Sequence, residues 1–419
     1  MIAMLNKPVF TNADFEPYLQ SELSLVYGIP GSGKTELACQ LAHAASRAGL
    51  RVMIATISTW QSLDISRKLS INGTQTPIYL LHKKKKPLPK ELFVTKGITA
   101  TTKLPSQIPP SISIATGQKW AWLKEDRPKF DLMIVDEAHQ MPYMLFLQLQ
   151  GLSERAVLIS DLNLLRPIIT TSTDRWENMP DGPHTPVAAA LAHQNKADFT
   201  QLLSCSYRLH EEDIHRLSLK LPSHQSPRAH QSTSKQNLNT KHAVNHPAVN
   251  ALLDGQSIVQ CELSGNQIED YAHQIQSILT ALLEAQICIE GGRMSGPLNP
   301  AKCAVICAST TECTQLERLI GSSFPEVLIE TTDGIQGQER AITIVLHPLH
   351  SSSCLTPFTL DYGRFVTMMS RHRVGCILLS PSNLHELLYK HPQLSTSILE
   401  HDQSTTMDWI QHLNFLTWE

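Results

Sequence analysis

A glycine-rich loop ending in lysine and threonine is the first group of residues in this 419-residue chain with the types and spacing for chemistry. Gly28–Thr35 reads GIPGSGKT and fits the pattern G-x-x-x-x-G-K-[ST]. Backbone N–H groups of such a loop turn inward around a phosphate, helped by the positive end of the following helix. Lys34 is predicted to reach the β- and γ-phosphates of a nucleotide, and Thr35 to hold Mg²⁺. The residues predicted to bind the nucleotide here are Gly28, Pro30, Gly31, Ser32, Gly33, Lys34 and Thr35.

Two adjacent carboxylates form the second candidate group. The apolar run LMIV at 132–135 leads directly into Asp136 and Glu137. Ligands of α/β sheets bind at the carboxyl ends of the strands, which is where this run would deliver both side chains. We expect Asp136 to complete the Mg²⁺ shell, and Glu137 to orient and deprotonate an attacking water. Together with the loop, the pair predicts hydrolysis of a nucleoside triphosphate.

Short apolar runs alternate with helical patterns along the chain, which predicts parallel sheets with helical crossovers. The predicted strands are 23–27, 51–56, 111–115, 132–135, 156–159, 303–307, 326–330 and 341–346, and the clearest predicted helices are 35–48 and 268–284. The pattern occurs in both halves of the chain, so we expect an α/β protein with two domains.

Composition sets limits on the class of protein. Hydrophobic residues make up 42% of the chain and the net charge is −3, which excludes a disordered chain and gives no global sign of a nucleic-acid binder. Locally, however, residues 82–103 carry seven lysines against one glutamate. The nine cysteines lack metal-ligand spacing, and neither a signal peptide nor a membrane span is evident. We therefore expect an intracellular, cytoplasmic protein with no membrane partner.

The order of motifs resembles that of superfamily one helicases, and more closely the up-frameshift-like branch. Stretches resembling successive family motifs are Gly28–Thr35, Val52–Thr59, Ala115–Gly117, Asp136–Glu137, Ser160–Pro167, Ser206–His210, Ala304–Leu316, Thr331–Glu339 and Arg364–Arg373. The resemblance implies two tandem RecA-like P-loop NTPase domains with an ATP site in the cleft between them. It places the first domain at 1–195, with a basic insertion at about 70–110, and the second at 196–419, with a polar insertion or linker at about 221–250.

The same resemblance implies roles for residues of the second half. Arg208 and Arg371 would face the γ-phosphate as sensor and finger, a role that suits the fixed positive charge of arginine. Gln336, Gly337 and Glu339 would contact the nucleotide, with Glu339 at the ribose. ATP and Mg²⁺ are the expected cofactors.

The implied partner is single-stranded DNA or RNA, with 5′→3′ movement along it. Candidate contacts to its backbone are Thr56, Ser58, Thr116, Thr332, Asp333 and the lysine run Lys83, Lys84, Lys85 and Lys86. Trp60, Trp120 and Trp122 lie near these loops and could stack on bases, although core packing is the expected role for at least two of them.

The stretch Ser160–Pro167, called the coupling stretch below, departs from the family motif that couples ATP to nucleic acid. Leu164 stands where the family usually has glutamine, and the neighbouring Asn163 is a candidate substitute. His372 and Val366 also replace the usual alanine and asparagine of the final motif.

We therefore expect an ATP-dependent helicase or translocase on single-stranded nucleic acid. Three alternatives remain. The letters Asp136–His139 spell the D-E-A-H of superfamily two, although its later motifs are missing. The chain could be an ATPase that binds nucleic acid or remodels proteins without unwinding. It could also be a non-catalytic binding module.

Overall fold

The structure is a computed structural model that describes residues 8, 10–71, 76–83, 97–105, 107–123, 129–169, 171–176, 179–222, 225–231, 236–350 and 355–389. The predicted α/β class is confirmed, because helices alternate with the strands of two large parallel sheets.

The strands of the described residues are β1 (Leu23–Gly28), β2 (Arg51–Thr56), β3 (Ile78–Leu81), β4 (Ile98–Thr101), β5 (Ser111–Thr116), β6 (Leu132–Val135), β7 (Ala156–Ser160), β8 (Phe199–Leu203), β9 (Cys205–Ser206), β10 (Arg228–Ala229), β11 (Asn237–Asn239), β12 (Ile258–Leu263), β13 (Cys288–Glu290), β14 (Gly296–Pro297), β15 (Cys303–Cys307), β16 (Leu328–Thr331), β17 (Arg340–Leu346) and β18 (His372–Pro381).

The helices are α1 (Asn12–Gln20), α2 (Lys34–Arg47), α3 (Thr59–Ile71), α4 (Gly117–Ala121), α5 (Tyr143–Leu149), α6 (Val187–His193), α7 (Glu211–Arg216), α8 (Pro247–Leu253), α9 (Ile268–Glu284), α10 (Thr310–Ile320), α11 (Pro357–Leu360), α12 (Tyr362–Met369) and α13 (Leu384–Tyr389). None of these helices has the length and apolarity needed to cross a membrane.

The first sheet has eight strands in the order β4-β3-β5-β2-β6-β7-β1-β8, and every pairing in it is parallel. The register aligns the carboxyl ends of neighbouring strands: Tyr27 pairs with Ser160, and Thr56 pairs with Thr116. Because the motif loops follow these strand ends, the glycine-rich loop, the Asp-Glu pair and the coupling stretch emerge at one edge of the sheet.

The second sheet has five parallel strands in the order β12-β18-β17-β15-β16. A smaller antiparallel sheet, β11-β13-β14, lies in the same half of the chain. Strands β11 and β10 and the start of α8 fall within 221–250, so the described part of that segment is folded into the protein and is not a structureless linker.

The strand alternation explains how the cores are divided. In β2, Val52 and Ile54 pack into a core with α2, whereas Met53 and Ala55 point into a core on the opposite face. That opposite core continues into the second sheet through residues such as Ile306 of β15. The two halves are therefore packed against each other through apolar side chains.

Two observations bear on the predicted organisation without testing the domain limits. β8 begins after residue 195 and pairs with β1, so the first sheet continues past the predicted boundary. The described parts of the basic insertion include β3 and β4, which extend the first sheet at its edge by parallel pairing. The domain limits themselves stay a prediction.

Candidate active site

The glycine-rich loop has the backbone conformation that its sequence predicts. Gly31 and Gly33 have φ of +79° and +88°, a region that favours glycine, and α2 begins immediately afterwards at Lys34. A Cβ atom on Gly31 would lie 2.6 Å from the Arg208 Cβ and 2.7 Å from the Ser206 Oγ. The loop thus needs glycine both for its turn and for its close approach to the segment that carries Arg208.

Lys34 points into the protein at the base of this loop and is buried. Its Nζ donates to the carbonyl oxygens of Gly28 and Ile29, both at 2.9 Å, and to Asp161 Oδ2 at 2.8 Å. Asp161 belongs to the coupling stretch after β7. The lysine ammonium is therefore held among oxygen acceptors at the floor of the loop, beside the edge where a phosphate would enter.

The Asp-Glu pair lies on the other side of Thr35. Thr35 Oγ1 donates to Asp136 Oδ2 at 3.0 Å, which puts a hydroxyl and a carboxylate side by side, as a Mg²⁺ site with substrate phosphates requires. Burial and the neighbouring Glu137 raise the pKa of Asp136. Among the residues that the structure describes, no cluster of three or more His, Cys, Asp or Glu could hold a metal unaided.

Glu137 adopts a strained backbone conformation, with φ of +58°. Its Oε2 lies 3.1 Å from His139 Nε2. Burial alone would raise the pKa of Glu137, but His139 and Lys34 outweigh it, so that the pKa is lowered. Glu137 is therefore ionised at neutral pH and can accept a hydrogen bond from a water.

His139 is a member of the site that the sequence did not single out. The backbone N–H of Asp161 donates to its Nδ1 at 3.1 Å, so the ring proton is on Nε2, facing Glu137. A histidine three residues after an aspartate is a common pattern, and only the fold shows that it connects the Asp-Glu pair to the coupling stretch.

Arginines from the second half form the opposite wall. Arg208 Nη1 lies 3.6 Å from Glu339, and Arg373 Nη2 donates to the same carboxylate at 2.5 Å. Arg371 lies beside them, with its Nε donating to the Thr367 carbonyl oxygen at 2.8 Å. Burial and the adjacent Arg371 lower the pKa of Arg208, as expected where positive charges crowd.

These two walls enclose a cavity of about 160 Å³. The predicted residues that line it are Pro30, Gly31, Ser32, Gly33, Lys34, Thr35, Glu137, Arg208, Gly337, Glu339 and Arg371, and further lining residues are Pro8, Glu36, Lys68, Leu164, Tyr207, Arg293 and Arg373. Ser32 Oγ, Arg208 Nε and Arg373 Nη1 are buried without a hydrogen-bond partner among the described residues. The cavity combines excess positive charge with unused donors, so it suits a polyanion.

Some predicted residues lie elsewhere. Gly28 and Gln336 are not among the residues that line the cavity, and Asp136 lies behind Thr35. Lys68 and Arg293 were missed by the sequence analysis, because a lone basic residue carries no motif. Arg373 ends a stretch that resembles a family motif, so its position was the available signal.

A second cavity, of about 270 Å³, lies where β2, β3 and β5 end. Ser58, Lys83 and Thr116 line it together with Lys119 and the hydroxyl of Thr59. Three of the predicted nucleic-acid contacts are therefore brought together in one groove. Lys84, Lys85 and Lys86 lie outside the described residues.

Of the other predicted backbone contacts, Thr56 and Thr332 need correction, whereas that of Asp333 stays a prediction. Thr56 and Thr332 are fully buried, and their hydroxyls bond to Ser62 and to the Cys307 carbonyl oxygen, so they shape the loops instead of facing a strand. Asp333 is exposed and pairs with Arg364 at 3.3 Å.

The expectation that at least two of the three tryptophans pack in the core is wrong. Trp120 is 1% exposed, with its indole N–H bonded to the Ile54 carbonyl oxygen. Trp60 and Trp122 are 61% and 77% exposed. Trp60 is the second residue of α3 and Trp122 directly follows α4, so each lies within three residues of a residue that lines the groove.

No protein-family model matches the chain. The chain is 25% identical over 425 aligned positions to the DNA replication ATP-dependent helicase/nuclease dna2 of Schizosaccharomyces pombe (strain 972 / ATCC 24843). That match covers 92% of this chain and 29% of the fission-yeast protein. The predicted resemblance to superfamily one helicases is confirmed.

Solved structures of viral helicases were also found among the similar chains. An Arterivirus nonstructural protein 10 (helicase) in complex with DNA has a TM-score of 0.46 at 14% identity, over 90% of this chain and 65% of the viral one. A PRRSV helicase has a TM-score of 0.43 at 14% identity, over 89% of this chain and 55% of the viral one.

Proposed function

We propose that this chain is an ATP-dependent helicase or translocase that acts on single-stranded DNA or RNA. The observation that carries the proposal is the cavity itself. It places the glycine-rich loop and Glu137 of the first half opposite Arg208 and Arg371 of the second half. Superfamily one resemblance across 92% of the chain supports it.

The residues divide the chemistry of phosphoryl transfer between two walls. The loop N–H groups and Lys34 bind the phosphates. Thr35 and Asp136 would hold Mg²⁺, and the ion would supply positive charge beside the phosphate oxygens. Glu137 orients the attacking water and accepts its proton. Arg208 and Arg371 stabilise the transferring phosphoryl group from the other side, so hydrolysis requires the two halves to be close.

The groove at the ends of β2 and β5 is the proposed site for the strand. Its hydroxyls and lysines suit contacts to phosphates, which position a strand without reading its sequence. The exposed Trp60 and Trp122 provide faces for stacking of bases. The yeast relative is described as a DNA replication helicase/nuclease, and this chain spans 29% of its length. A 5′→3′ direction is part of the proposal by resemblance to the up-frameshift-like branch.

One feature favours a second candidate function, an ATPase that binds nucleic acid or remodels proteins without unwinding. Leu164 lines the nucleotide cavity at the position where the family usually has glutamine. An apolar side chain there cannot pass a hydrogen bond from the phosphate to the strand site.

Steady-state ATP hydrolysis tests the proposal when measured without polymer, with poly(dT) and with poly(rU). The wild-type chain is expected to hydrolyse ATP faster with at least one polymer. Lys34→Ala is expected to abolish hydrolysis, because it removes the ammonium at the phosphate loop, whereas Lys241→Ala, an exposed lysine outside the cavity, is expected to leave the rate unchanged.

Two results would contradict the proposal. If neither polymer raises the rate of hydrolysis, the activity does not depend on nucleic acid. If Lys34→Ala still hydrolyses ATP, the active site is wrongly assigned.

A further inference from the structure

The coupling stretch after β7 connects directly to the phosphate loop through Asp161. One carboxylate oxygen of Asp161 accepts from Lys34 Nζ at 2.8 Å. The other accepts from the backbone N–H of Asn163 at 2.9 Å and from its side-chain Nδ2 at 3.0 Å. Asp161 is fully buried, so its charge fixes both partners in place.

The Asn163 side chain continues this connection into the next segment of the chain. Its Nδ2 donates to the Lys220 carbonyl oxygen at 3.0 Å, and its Oδ1 accepts from the Lys220 backbone N–H at 2.7 Å. The two bonds join the same pair of residues in opposite directions. An amide is the side chain that can donate and accept in this way, so the contact is specific to asparagine or glutamine.

Lys220 is attached to the second half of the protein. It follows α7, where Arg216 Nη1 donates to the Ile258 carbonyl oxygen of β12 at 3.3 Å. Asp213 of the same helix accepts from the Ser257 hydroxyl and from His372 Nε2, the latter at 3.2 Å. The helix is therefore bonded to the second sheet, and Lys220 lies four residues beyond the end of that helix.

Leu164 cannot make hydrogen bonds of this kind through its side chain, which is apolar. Its side chain is buried among apolar residues and lines the nucleotide cavity, and its carbonyl lies against Gly363 at the start of α12. The neighbouring Leu165 N–H donates to Thr367 Oγ1 at 3.3 Å. The backbone of Leu164 and Leu165 thus contacts the second half of the protein. The side-chain hydrogen bonds to Lys220 come from Asn163, one residue before Leu164.

We infer that Asn163 is the residue that couples the phosphate site to the second half, in place of the glutamine that superfamily one usually has at position 164. The relay runs from Lys34 through Asp161 and Asn163 to Lys220. A nucleotide phosphate that draws Lys34 away from Asp161 alters the hydrogen bonding of Asn163 and hence the position of Lys220 relative to the first sheet. Asn163 is a positioning residue, and this inference rests on the proposed function.

The test is the ratio of polymer-stimulated to basal ATP hydrolysis, with poly(dT) and poly(rU) as probes. Asn163→Ala removes both bonds to Lys220, and Asn163→Asp keeps the shape but sets a carboxylate against the Lys220 carbonyl and Asp161. Both variants are expected to retain the basal rate while stimulation falls by about tenfold, the size of a typical coupling between sites. Asn250→Ala is the matched control, because Asn250 is exposed and donates to the Val244 carbonyl oxygen within its own segment.

The outcomes separate the inference from the proposed function. If the wild-type chain shows no stimulation, the proposed function fails. If the wild type is stimulated and both variants are stimulated equally, the inference is overturned. A parallel loss of basal and stimulated rates also overturns it, since Asn163 would then support only the site itself. Thermal unfolding midpoints equal to that of wild type establish that the variants are folded. If Asn163→Ala is not folded, Asn163→Asp is used for the test.

Discussion

Arg371 is the residue on which the proposed chemistry depends most. It is buried in the wall opposite Glu137, and its Nε donates to the carbonyl oxygen of Thr367 in the preceding helix, α12. That bond, with a second from Nη2 to the Ser370 hydroxyl at 3.3 Å, orients the guanidinium. An arginine held in this way is preorganised for charge on the transferring phosphoryl group.

Arg371→Ala is expected to lower kcat by about 10³-fold, since arginines that act on the phosphoryl transition state contribute effects of this size. Arg371→Lys is not expected to restore the rate, because an ammonium lacks the planar fork. The measurement is ATP hydrolysis at saturating ATP. Arg318→Ala, an exposed arginine on α10, is the control and should retain the wild-type kcat. A kcat for Arg371→Ala within a few-fold of wild type would contradict the role.

At the residue scale, the sequence predicts the motif-bearing part of the site and misses the rest for a physical reason. Loop and strand-end residues such as Lys34 and Glu137 carry their chemistry in local spacing, so they could be found. His139 and Arg293 enter the site only through the packing of distant segments. Thr56 was misassigned because a hydroxyl at a strand end can bond inward or outward, and only the fold decides which.

At the scale of elements, α7 and β18 are joined by a buried ion pair that the family motif does not contain. His372 Nδ1 faces the Met369 carbonyl oxygen at 2.8 Å and its Nε2 faces Asp213 at 3.2 Å. Both ring nitrogens face acceptors, so the ring is protonated on both. Burial alone would lower the pKa of His372, but Asp213, with a contribution from Cys376, raises it to about 10.

The pair predicts a pH-dependent stability. Because the folded pKa lies above the unfolded value of about 6.5, the stabilisation is complete below that pH and is lost as pH rises through about 10. His372→Ala is expected to lower the free energy of unfolding by about 3 kcal/mol at about pH 6, since it leaves Asp213 buried without its partner. Urea unfolding of wild type and variant measures this loss, which should be much smaller at about pH 9.5 than at about pH 6.

The control for this prediction is His215→Ala in the same helix. His215 is exposed and pairs with Glu211 at 3.4 Å across one turn, so its loss should change the free energy of unfolding by less than about 1 kcal/mol. A His372→Ala effect that is equal at both pH values would contradict the ionised pair.

Most large helices and strands were predictable, because their apolar residues repeat with a clear spacing and the residues at their ends are typical of helix or strand termini. The predicted strand 132–135 and the helix 268–284 coincide with β6 and α9, and 303–307 coincides with β15. The prediction at 326–330 is displaced from β16, which begins at Leu328, because the apolar pattern alone does not fix where pairing starts. Short strands such as β11 were missed, since their pairing partner β13 lies far along the chain.

For the whole molecule, the important fact is that one connecting segment serves both halves. After β8, the backbone N–H of Tyr207 donates to the Gly31 carbonyl oxygen of the phosphate loop at 2.9 Å. Arg208 follows in the cavity wall, and the chain then forms α7. This one segment therefore contacts the phosphate loop and also enters the helix that is bonded to the second sheet. The net charge of −3 says nothing about this, because the basic residues that face the two cavities are a local feature.

Directed movement along nucleic acid can be measured by stopped-flow fluorescence on single strands of increasing length with a dye at one end. After ATP and Mg²⁺ are added, the time before the dye signal changes is expected to grow in proportion to strand length. This growth is expected to be absent in Lys34→Ala. A signal change at the same time for every length, in a protein that hydrolyses ATP, would contradict directed movement and leave an ATPase that does not travel along the strand.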